Sequence, residues 1–186
     1  PGWEDVVDQL AVAPSVSLAL GSVAGIGAAR VTTAHYSVIV RDTAQMMIAG
    51  PALVSWASLG DVTKEELGHA DIHTRNGAID DAADSEAEAF EMAKRFLSYL
   101  PTSVDELPPR TEPTDDTSRR EESLISIVPR DPKKVYKMRT IIESVADEGS
   151  FFEIGRSWGK SIITGLARLD GYPCLIFAED PYVYGG

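Results

Sequence analysis

The sequence predicts an α/β fold in which helices alternate with short buried strands. An apolar run near the start of the chain leads into a glycine-rich turn, and a long amphipathic pattern follows near residue 90. Two β-rich runs flank Asp170-Gly171, which is a strong hairpin signal. The chain has 186 residues, of which 44% are hydrophobic and 25% charged, as in ordinary globular proteins. That length allows one medium domain or parts of two.

The first half begins with a helix at residues 3–12, where apolar residues recur at helical spacing and acidic residues occupy the first turn. Pro14 ends this helix, because proline lacks the amide that a helix interior needs. The elements predicted next are a strand at 15–20, a glycine turn, a helix to Ala34, a strand at Tyr36–Val40, an apolar run at Gln45–Ala49, helical turns at Ala52–Ala57 and a short helix at 62–68.

Capping signals mark two helices. Thr63 and Glu66 form a capping box, and Ser85 with Glu88 forms another. The second box opens a helix at 86–100 that carries an expected Glu91–Arg95 ion pair. Its predicted apolar face consists of Phe90, Ala93, Phe96, Leu97 and Leu100. Residues 71–81, between the two helices, are predicted to be a turn-rich acidic segment.

A change of composition divides the chain into three parts. Residues 101–123 mix prolines with acidic residues and have too little apolar area to fold alone. We therefore predict one domain portion at 1–100, a linker at 101–123 and a second domain portion at 124–186. In the second portion, Asp131-Pro132 is predicted to open a helix that Gly149 ends. The hairpin then pairs Ile162–Leu169 with Tyr172–Ala178.

Charge and cysteine content limit the classes of partner and compartment. The net charge of −12 disfavours nucleic acid or an anionic membrane as the partner of the whole surface. Cys174 is the single cysteine, which allows no internal disulfide and indicates a reducing compartment. No apolar run is long enough for a membrane span, and the start resembles no signal peptide. The missing initiator methionine and the strand signal close to the last residue lead us to expect an excerpt of a longer protein.

The glycine turn, Gly21-x-x-x-Gly25-Ile26-Gly27, leads into a helix whose first amides are free to meet negative charge. Such a turn can hold a phosphate or stabilise an enolate. The glycine spacing matches short-chain dehydrogenases, which bind a dinucleotide. Those enzymes need a Tyr-x-x-x-Lys pair, however, and none of the six tyrosines here is followed by lysine at that spacing. Arg30 also stands where the stricter dinucleotide pattern has a small residue.

The side chains supply no obvious nucleophile or base. His35, His69 and His73 are not at metal-ligand spacing, and we predict that the chain binds no metal. Ser22 lacks the G-x-S-x-G setting of a hydrolase nucleophile, and the Met46-Met47 pair is predicted to lie in the core. Any chemistry is therefore expected to come mainly from backbone donors.

Five blocks of sequence indicate a family. They are Val12–Gly25, Tyr36–Val40 with Met47–Pro51, Val62–Gly68 followed by His73, Ile127–Met138 and Ile163–Pro173. Taken together, these blocks resemble the carboxyltransferase (β) subunit of biotin-dependent acyl-CoA carboxylases, of the propionyl-CoA and acetyl-CoA carboxylase type. The resemblance covers nearly the whole chain, with the blocks in the family's order.

The resemblance implies a crotonase-like (ClpP/crotonase) ββα-superhelix, with the end of an acyl-CoA-binding domain at 1–100 and the start of a carboxybiotin-binding domain at 124–186. It implies transfer of a carboxyl group from carboxybiotin to the α-carbon of an acyl-CoA through an enolate. In the family biotin can itself take the proton. The oxyanion hole, two successive backbone amides, falls on Gly25 and Ile26, and Val23, Ala24 and Gly27 are the expected substrate-binding neighbours.

The resemblance also implies partners and a location. Biotin is carried by a biotin carboxylase or biotin carboxyl carrier partner, and the subunits form a homo-oligomer, expected to be a hexamer. The expected location is the cytoplasm, or the mitochondrial matrix in a eukaryote. Ile26 departs from the family's second glycine, and His69 replaces a glycine after Glu65-Glu66-Leu67-Gly68. Two alternatives stay open: a crotonase-type acyl-CoA hydratase or hydrolase, which needs an acidic residue facing Gly25 and Ile26, and an inactive carboxylase-like assembly subunit.

Overall fold

Helices and strands alternate through the first hundred residues, and an antiparallel hairpin lies near the C-terminal end of the described chain. The computed structural model describes residues 2–57, 60–113, 115–116 and 118–184. Its elements are α1 (Trp3–Val12), β1 (Val16–Ala19), β2 (Ser22–Ala24), α2 (Ile26–Thr32), β3 (Tyr36–Val40), β4 (Gln45–Met47), α3 (Pro51–Trp56), α4 (Lys64–Gly68), α5 (Ala70–Asn76), β5 (Asp81–Ala83), α6 (Glu86–Ser98), a 3₁₀ turn (Glu122–Ile125), α7 (Met138–Val145), β6 (Phe152–Ile154), β7 (Ile162–Leu169) and β8 (Tyr172–Glu179).

Three small sheets organise these elements. Strands β1, β3 and β5 form a parallel sheet with β3 in the centre, where all five residues of β3 are buried. Strands β2 and β4 form a second parallel pair. Strands β6, β7 and β8 form an antiparallel sheet. Parallel strands need a crossover connection, and α2 supplies one between the β1–β2 run and β3.

Several predicted elements are confirmed. Helix α1, strands β1 and β3, helix α6 and the terminal hairpin lie where the sequence places them. The Thr63–Glu66 capping box is present with both reciprocal bonds. At the hairpin tip, Asp170 and Gly171 have φ of 51° and 76°, and the two-residue turns that suit twisted hairpins require positive φ at both positions.

The prediction that residues 71–81 are turn-rich is wrong, because the segment contains α5 and the start of β5. The His69 side chain accepts a hydrogen bond from the Asp71 amide and so caps α5, while Gly77 ends the helix in the left-handed conformation. Strand β5 forms because it pairs with β3, and this pairing cannot be predicted from local composition. Strands β2 and β6 were missed for the same reason.

The helix predicted to open at Asp131-Pro132 begins only at Met138 and ends at Val145, before Gly149. Asp131 instead begins a turn. Its carboxylate accepts a hydrogen bond from the Lys133 amide, and its backbone carbonyl accepts one from the Lys134 amide. Asx turns of this kind compete with helix initiation.

The face of α6 also differs from the prediction. Phe90 and Leu97 are exposed, and the buried residues of this helix are Ala89, Ala93 and Phe96. Glu91 pairs with Lys94 at 2.7 Å instead of Arg95. Arg95 donates to the carbonyls of Gly149 and Phe151, in the segment that leads into β6, and its guanidinium lies over the Phe152 ring. Ser85 caps the Glu88 amide as predicted, but the Glu88 carboxylate accepts from the Asp84 amide.

Aromatic residues join the two ends of the chain in one core. Tyr36 stacks on Phe96 with ring centroids 4.8 Å apart and meets the edge of Phe152 at 5.5 Å. The Tyr99 hydroxyl donates to the Ser150 carbonyl. The segment at 101–123 is tied to its surroundings by backbone bonds from the Val104 amide to Val12 O and from the Thr111 amide to Gly171 O, and by side-chain bonds of Arg110 and Arg119. Residues 114 and 117 of that segment lie outside the described residues. The three-part domain division stays a prediction.

A partly buried hydrogen bond links neighbouring strands β3 and β5. The Tyr36 hydroxyl donates to Oδ2 of Asp81 at 3.0 Å. Burial raises the pKa of Asp81 to about 6, although the hydrogen bond from Tyr36 lowers it. Burial and the Asp81 charge raise the pKa of Tyr36 as well. The carboxyl group of Asp81 therefore titrates well above the range of an exposed aspartate.

We expect Asp81→Asn to remove a pH dependence of stability. The pKa of Asp81 is about 6 in the folded state and 3.8 ordinarily, so the folded state binds the carboxyl proton more tightly than the unfolded state does. The stability that this proton contributes is fully present below about pH 4 and is lost as the pH rises through 6. A shift of about two pKa units corresponds to about 3 kcal/mol at most. Urea unfolding should find the variant more stable than wild type at pH 7.5, with the difference shrinking at pH 4.5. Asp84→Asn, at an exposed carboxylate, is the control, and an equal difference at both pH values would contradict the assignment.

Candidate functional site

The glycine turn lies between β2 and α2. Gly25 has φ of 61° and ψ of −127°, the mirror image of an extended conformation, which glycine adopts without the clash that a side chain causes. Its amide donates to the carbonyl oxygens of Met47 at 3.1 Å and Ile48 at 3.2 Å. The turn therefore extends the β2–β4 ladder by one residue before the helix begins. Of the two amides predicted to form the oxyanion hole, the Gly25 amide is already engaged.

The amides of Ile26 and Gly27 occupy the first two positions of α2. The first intrahelical bond is donated by Ala29 to the Gly25 carbonyl, so the preceding amides have no helical acceptor. Within the ranges that the structure describes, neither amide has another hydrogen-bond partner. Ile26 as a residue is 62% exposed, so the turn lies at the protein surface.

The three residues expected to bind substrate, Val23, Ala24 and Gly27, lie in different elements. Val23 and Ala24 lie in β2, opposite Met46 and Met47 of β4. A methyl group on Gly27 would lie 3.2 Å from Cγ1 of Val23, so this glycine allows α2 to pack closely on β2. Gly25 alone of the five predicted site residues is among those that line the adjoining cavity. The assignment of these five residues to a site stays a prediction.

A cavity of about 370 Å³ begins at Gly25 and runs along α2 toward β4 and α5. Cavities of this size are typical of small-molecule sites. Its described lining residues are Gly25, Ala28, Ala29, Thr32, Met46, Met47, Ile48, His73, Asn76 and Ala78. These described lining residues include no aspartate, glutamate, lysine or arginine. Met46 and Met47 are buried, as predicted, and also form one wall.

His73 holds one wall of the cavity in place. Its Nε2 lies 2.6 Å from the carbonyl oxygen of Met46, so Nε2 carries the proton and donates it. Nδ1 is buried and has no hydrogen-bond partner within the described part of the chain. This contact joins α5 to β4 across 27 positions of sequence, and no local pattern reveals it. His73 therefore positions the strand whose carbonyls hold Gly25.

The lining bears on the hydratase or hydrolase alternative. A reaction of that type needs a carboxylate facing the turn to activate water or move a proton. Among the described residues that line the cavity, the titratable one is His73, and its Nε2 proton is already donated to a carbonyl. The described lining thus suits an apolar group beside a backbone donor, and it includes no carboxylate of the kind that the alternative requires.

A family model described as "Carboxyl transferase domain" matches residues 6–186. This chain belongs to the carboxyl transferase domain family. It is 38% identical to the propionyl-CoA carboxylase carboxyltransferase subunit of Haloferax mediterranei, over 94% of this chain and 34% of that protein. It is 35% identical to the mitochondrial propionyl-CoA carboxylase beta chain of Homo sapiens, over 100% of this chain and 35% of that protein. The chain spans about a third of the length of these curated relatives.

Solved structures show the same fold. The hexameric transcarboxylase 12S, with hydrolysed methylmalonyl-coenzyme A bound, superposes on 95% of this chain and 35% of its own, with a TM-score of 0.88 and 30% identity. The predicted crotonase-like α/β fold and the predicted family are confirmed. A carboxyl transferase domain excludes the short-chain dehydrogenase that the glycine spacing alone suggests. In the ranges that the structure describes, every helix is too short or too polar to cross a membrane.

Proposed function

We propose that this chain is the part of an acyl-CoA carboxyltransferase that stabilises the enolate of the acyl-CoA. The whole enzyme would move a carboxyl group to the α-carbon of an acyl-CoA. The observation that carries the proposal is the free Ile26 amide at the start of α2, next to an apolar cavity. Membership of the carboxyl transferase family supports the same reaction class.

The physical argument concerns charge on the thioester oxygen. Removal of a proton from the α-carbon places negative charge there, and a fixed amide at a helix N-terminus meets that charge without reorganisation. Such a donor contributes about 3–4 kcal/mol to transition-state stabilisation. Ile26 is the donor we assign, with the Gly27 amide beside it. Gly25, proposed with Ile26 as the catalytic pair, could donate only after releasing the carbonyls of Met47 and Ile48.

The residues around the Ile26 amide fit a biotin ring carried by a partner. Ile26 and Ile48 are 62% and 88% exposed, Ile26 follows the turn directly, and Ile48 lies beside it because its carbonyl accepts from the Gly25 amide. Their apolar surface would hold one face of a bicyclic ring. Carboxylated biotin would supply the carboxyl group, and this chain's residues would hold the acyl thioester and exclude water from it.

We infer the remaining assignments from the relatives. The biotin would be attached to a biotin carboxylase or biotin carboxyl carrier partner, and the subunits would assemble as a hexamer, as the name of the transcarboxylase structure says of that protein. The location would be the cytoplasm, or the mitochondrial matrix in a eukaryote, since the human relative is named as mitochondrial.

The decisive experiment combines the full-length protein with its biotinylated partner, ATP, labelled bicarbonate and several acyl-CoAs. We expect label in the acyl-CoA, dependent on ATP and abolished by avidin. Label in none of the acyl-CoAs, with a partner that carboxylates its biotin normally, would leave the inactive assembly subunit as the better description. Hydration or hydrolysis of the acyl-CoA without biotin would favour the other alternative.

A further inference from the structure

We propose that the cavity along α2 is the acyl-group subsite and that Ala29 sets its capacity. The ligand class it takes is an uncharged aliphatic acyl group longer than acetyl. This inference rests on the proposed function, since it names the part of the same site that distinguishes one acyl-CoA from another. The cavity opens at Gly25, and the peptide bond between Gly25 and Ile26 carries the Ile26 amide.

The geometry follows from the spacing of small residues on α2. Gly25, Ala28, Ala29 and Thr32 recur at the interval that places them on one face of a helix, and all four line the cavity. Because three of these side chains have at most one carbon and the fourth is threonine, the face leaves room between α2 and β4. A thioester oxygen held at the Ile26 amide would place the acyl carbons against this face.

The wall of the cavity opposite α2 indicates which kind of acyl group the cavity can bind. Met46, Met47 and Ile48 present apolar atoms, and methionine adapts to chains of different shape. The polar lining side chains already use their oxygen atoms within the chain: Thr32 Oγ1 donates to Ala29 O at 3.0 Å, and Asn76 Oδ1 accepts from the Ala78 amide at 2.9 Å. The described lining offers no arginine or lysine to a carboxylate. Burial of an unpaired carboxylate there is unfavourable, so an acyl group that ends in a carboxylate is excluded.

Ala29 is the position at which this inference can be tested. It is half-buried and lines the cavity, so the additional carbons of Ala29→Leu would enter empty space rather than a packed core. Ala11→Leu makes the same chemical change on exposed α1, away from the cavity, and is the matched control. Unfolding curves of both variants confirm that each is folded.

The experiment measures kcat/KM of the full-length enzyme with its biotinylated partner on acetyl-, propionyl-, butyryl- and succinyl-CoA. In the wild type we expect kcat/KM to rise by at least about tenfold from acetyl- to butyryl-CoA, since a single added methylene in an apolar pocket contributes about tenfold or more. Succinyl-CoA, which has the same number of acyl carbons as butyryl-CoA and an added carboxylate, should fall at least about tenfold below butyryl-CoA. Ala29→Leu should remove the preference for butyryl-CoA and leave acetyl-CoA within about threefold of wild type.

Two results would overturn the subsite. One is an unchanged ratio of butyryl- to acetyl-CoA in Ala29→Leu, and the other is equal use of succinyl- and butyryl-CoA by the wild type. Failure of the proposed function looks different, because then no acyl-CoA is carboxylated at all. In that case titration calorimetry of the same four acyl-CoAs tests the subsite by itself. The same order of Kd values, lost in Ala29→Leu, supports it, and the absence of that order contradicts it.

Discussion

Replacing Ile26 by proline is expected to lower kcat of the full-length enzyme by about 10²–10³-fold while the fold stays intact. Proline removes one backbone donor, and loss of one oxyanion donor has an effect of about this size. The Ile26 amide, like that of Gly27, has no acceptor among the described residues. Carboxylation of the best acyl-CoA substrate, measured at saturating concentration, gives kcat directly.

The position tolerates proline for two structural reasons. Ile26 is the first residue of α2, where proline is favoured because the missing amide has no helical acceptor. The residue before a proline prefers an extended backbone, and Gly25, at φ of 61° and ψ of −127°, has the mirror image of that conformation. A proline at Gly25 itself would need a negative φ and would break the bonds to Met47 and Ile48. Substitution at Gly25 would therefore test folding rather than catalysis.

Ile26→Ala is the matched control, because it removes the exposed side chain and keeps the amide. We expect its kcat, at a saturating concentration of the biotinylated partner, to stay within about threefold of wild type, while the lost contact with the biotin ring raises KM for that partner. If Ile26→Pro retains wild-type kcat, the oxyanion assignment is wrong. If both variants lose activity equally, the side chain matters instead of the amide, and the contact with a biotin ring becomes the better explanation.

Arg168→Met is expected to lower the free energy of unfolding by at least about 3 kcal/mol. Arg168 is 8% exposed, and its guanidinium donates to the carbonyls of Ser98, Pro109 and Gly171 at 2.6–3.0 Å. It also lies over the Tyr99 ring at 4.8 Å. Methionine fills similar volume but donates no hydrogen bond. The Gly171 carbonyl keeps the Thr111 amide as a donor, whereas the Ser98 and Pro109 carbonyls lose the guanidinium. A hydrogen bond from a charged group contributes about 1.5–3 kcal/mol, so loss of these two bonds accounts for about 3 kcal/mol or more. Urea unfolding monitored by circular dichroism measures the loss.

Arg110→Met is the control for this prediction, because Arg110 contacts the same β7–β8 hairpin but is more exposed to solvent. Its side chain is 42% exposed, and it pairs with Asp170 at 2.9 Å and lies over the Tyr172 ring. Exposed pairs contribute about 0–1 kcal/mol, so this variant should unfold within about 1 kcal/mol of wild type. Similar losses in both variants would mean that the hairpin depends on net positive charge rather than on the buried carbonyl contacts of Arg168.

The sequence predicted those elements whose start or turn is marked by residues within or next to the element itself. Helix α6 has the Ser85 cap, and the hairpin has Asp170-Gly171, whose conformation the flanking strands require. Strand β5 and helix α5 were missed because their causes lie elsewhere. Strand β5 pairs with β3, 43 residues earlier at Val38↔Asp81, and α5 is capped by the side chain of His69, a residue type seldom expected in that role.

By itself the sequence determined the family, the crotonase-like fold and the turn at Gly25 and Ile26, because ordered motifs and glycine spacing are carried by short stretches of chain. Only the tertiary structure decided which amide of that turn is free. The carbonyls that engage the Gly25 amide come from β4, and their position depends on the pairing of β4 with β2 and on the contact of His73 with Met46. The cavity beside Ile26 has the same origin, since its walls come from three elements that only folding brings together.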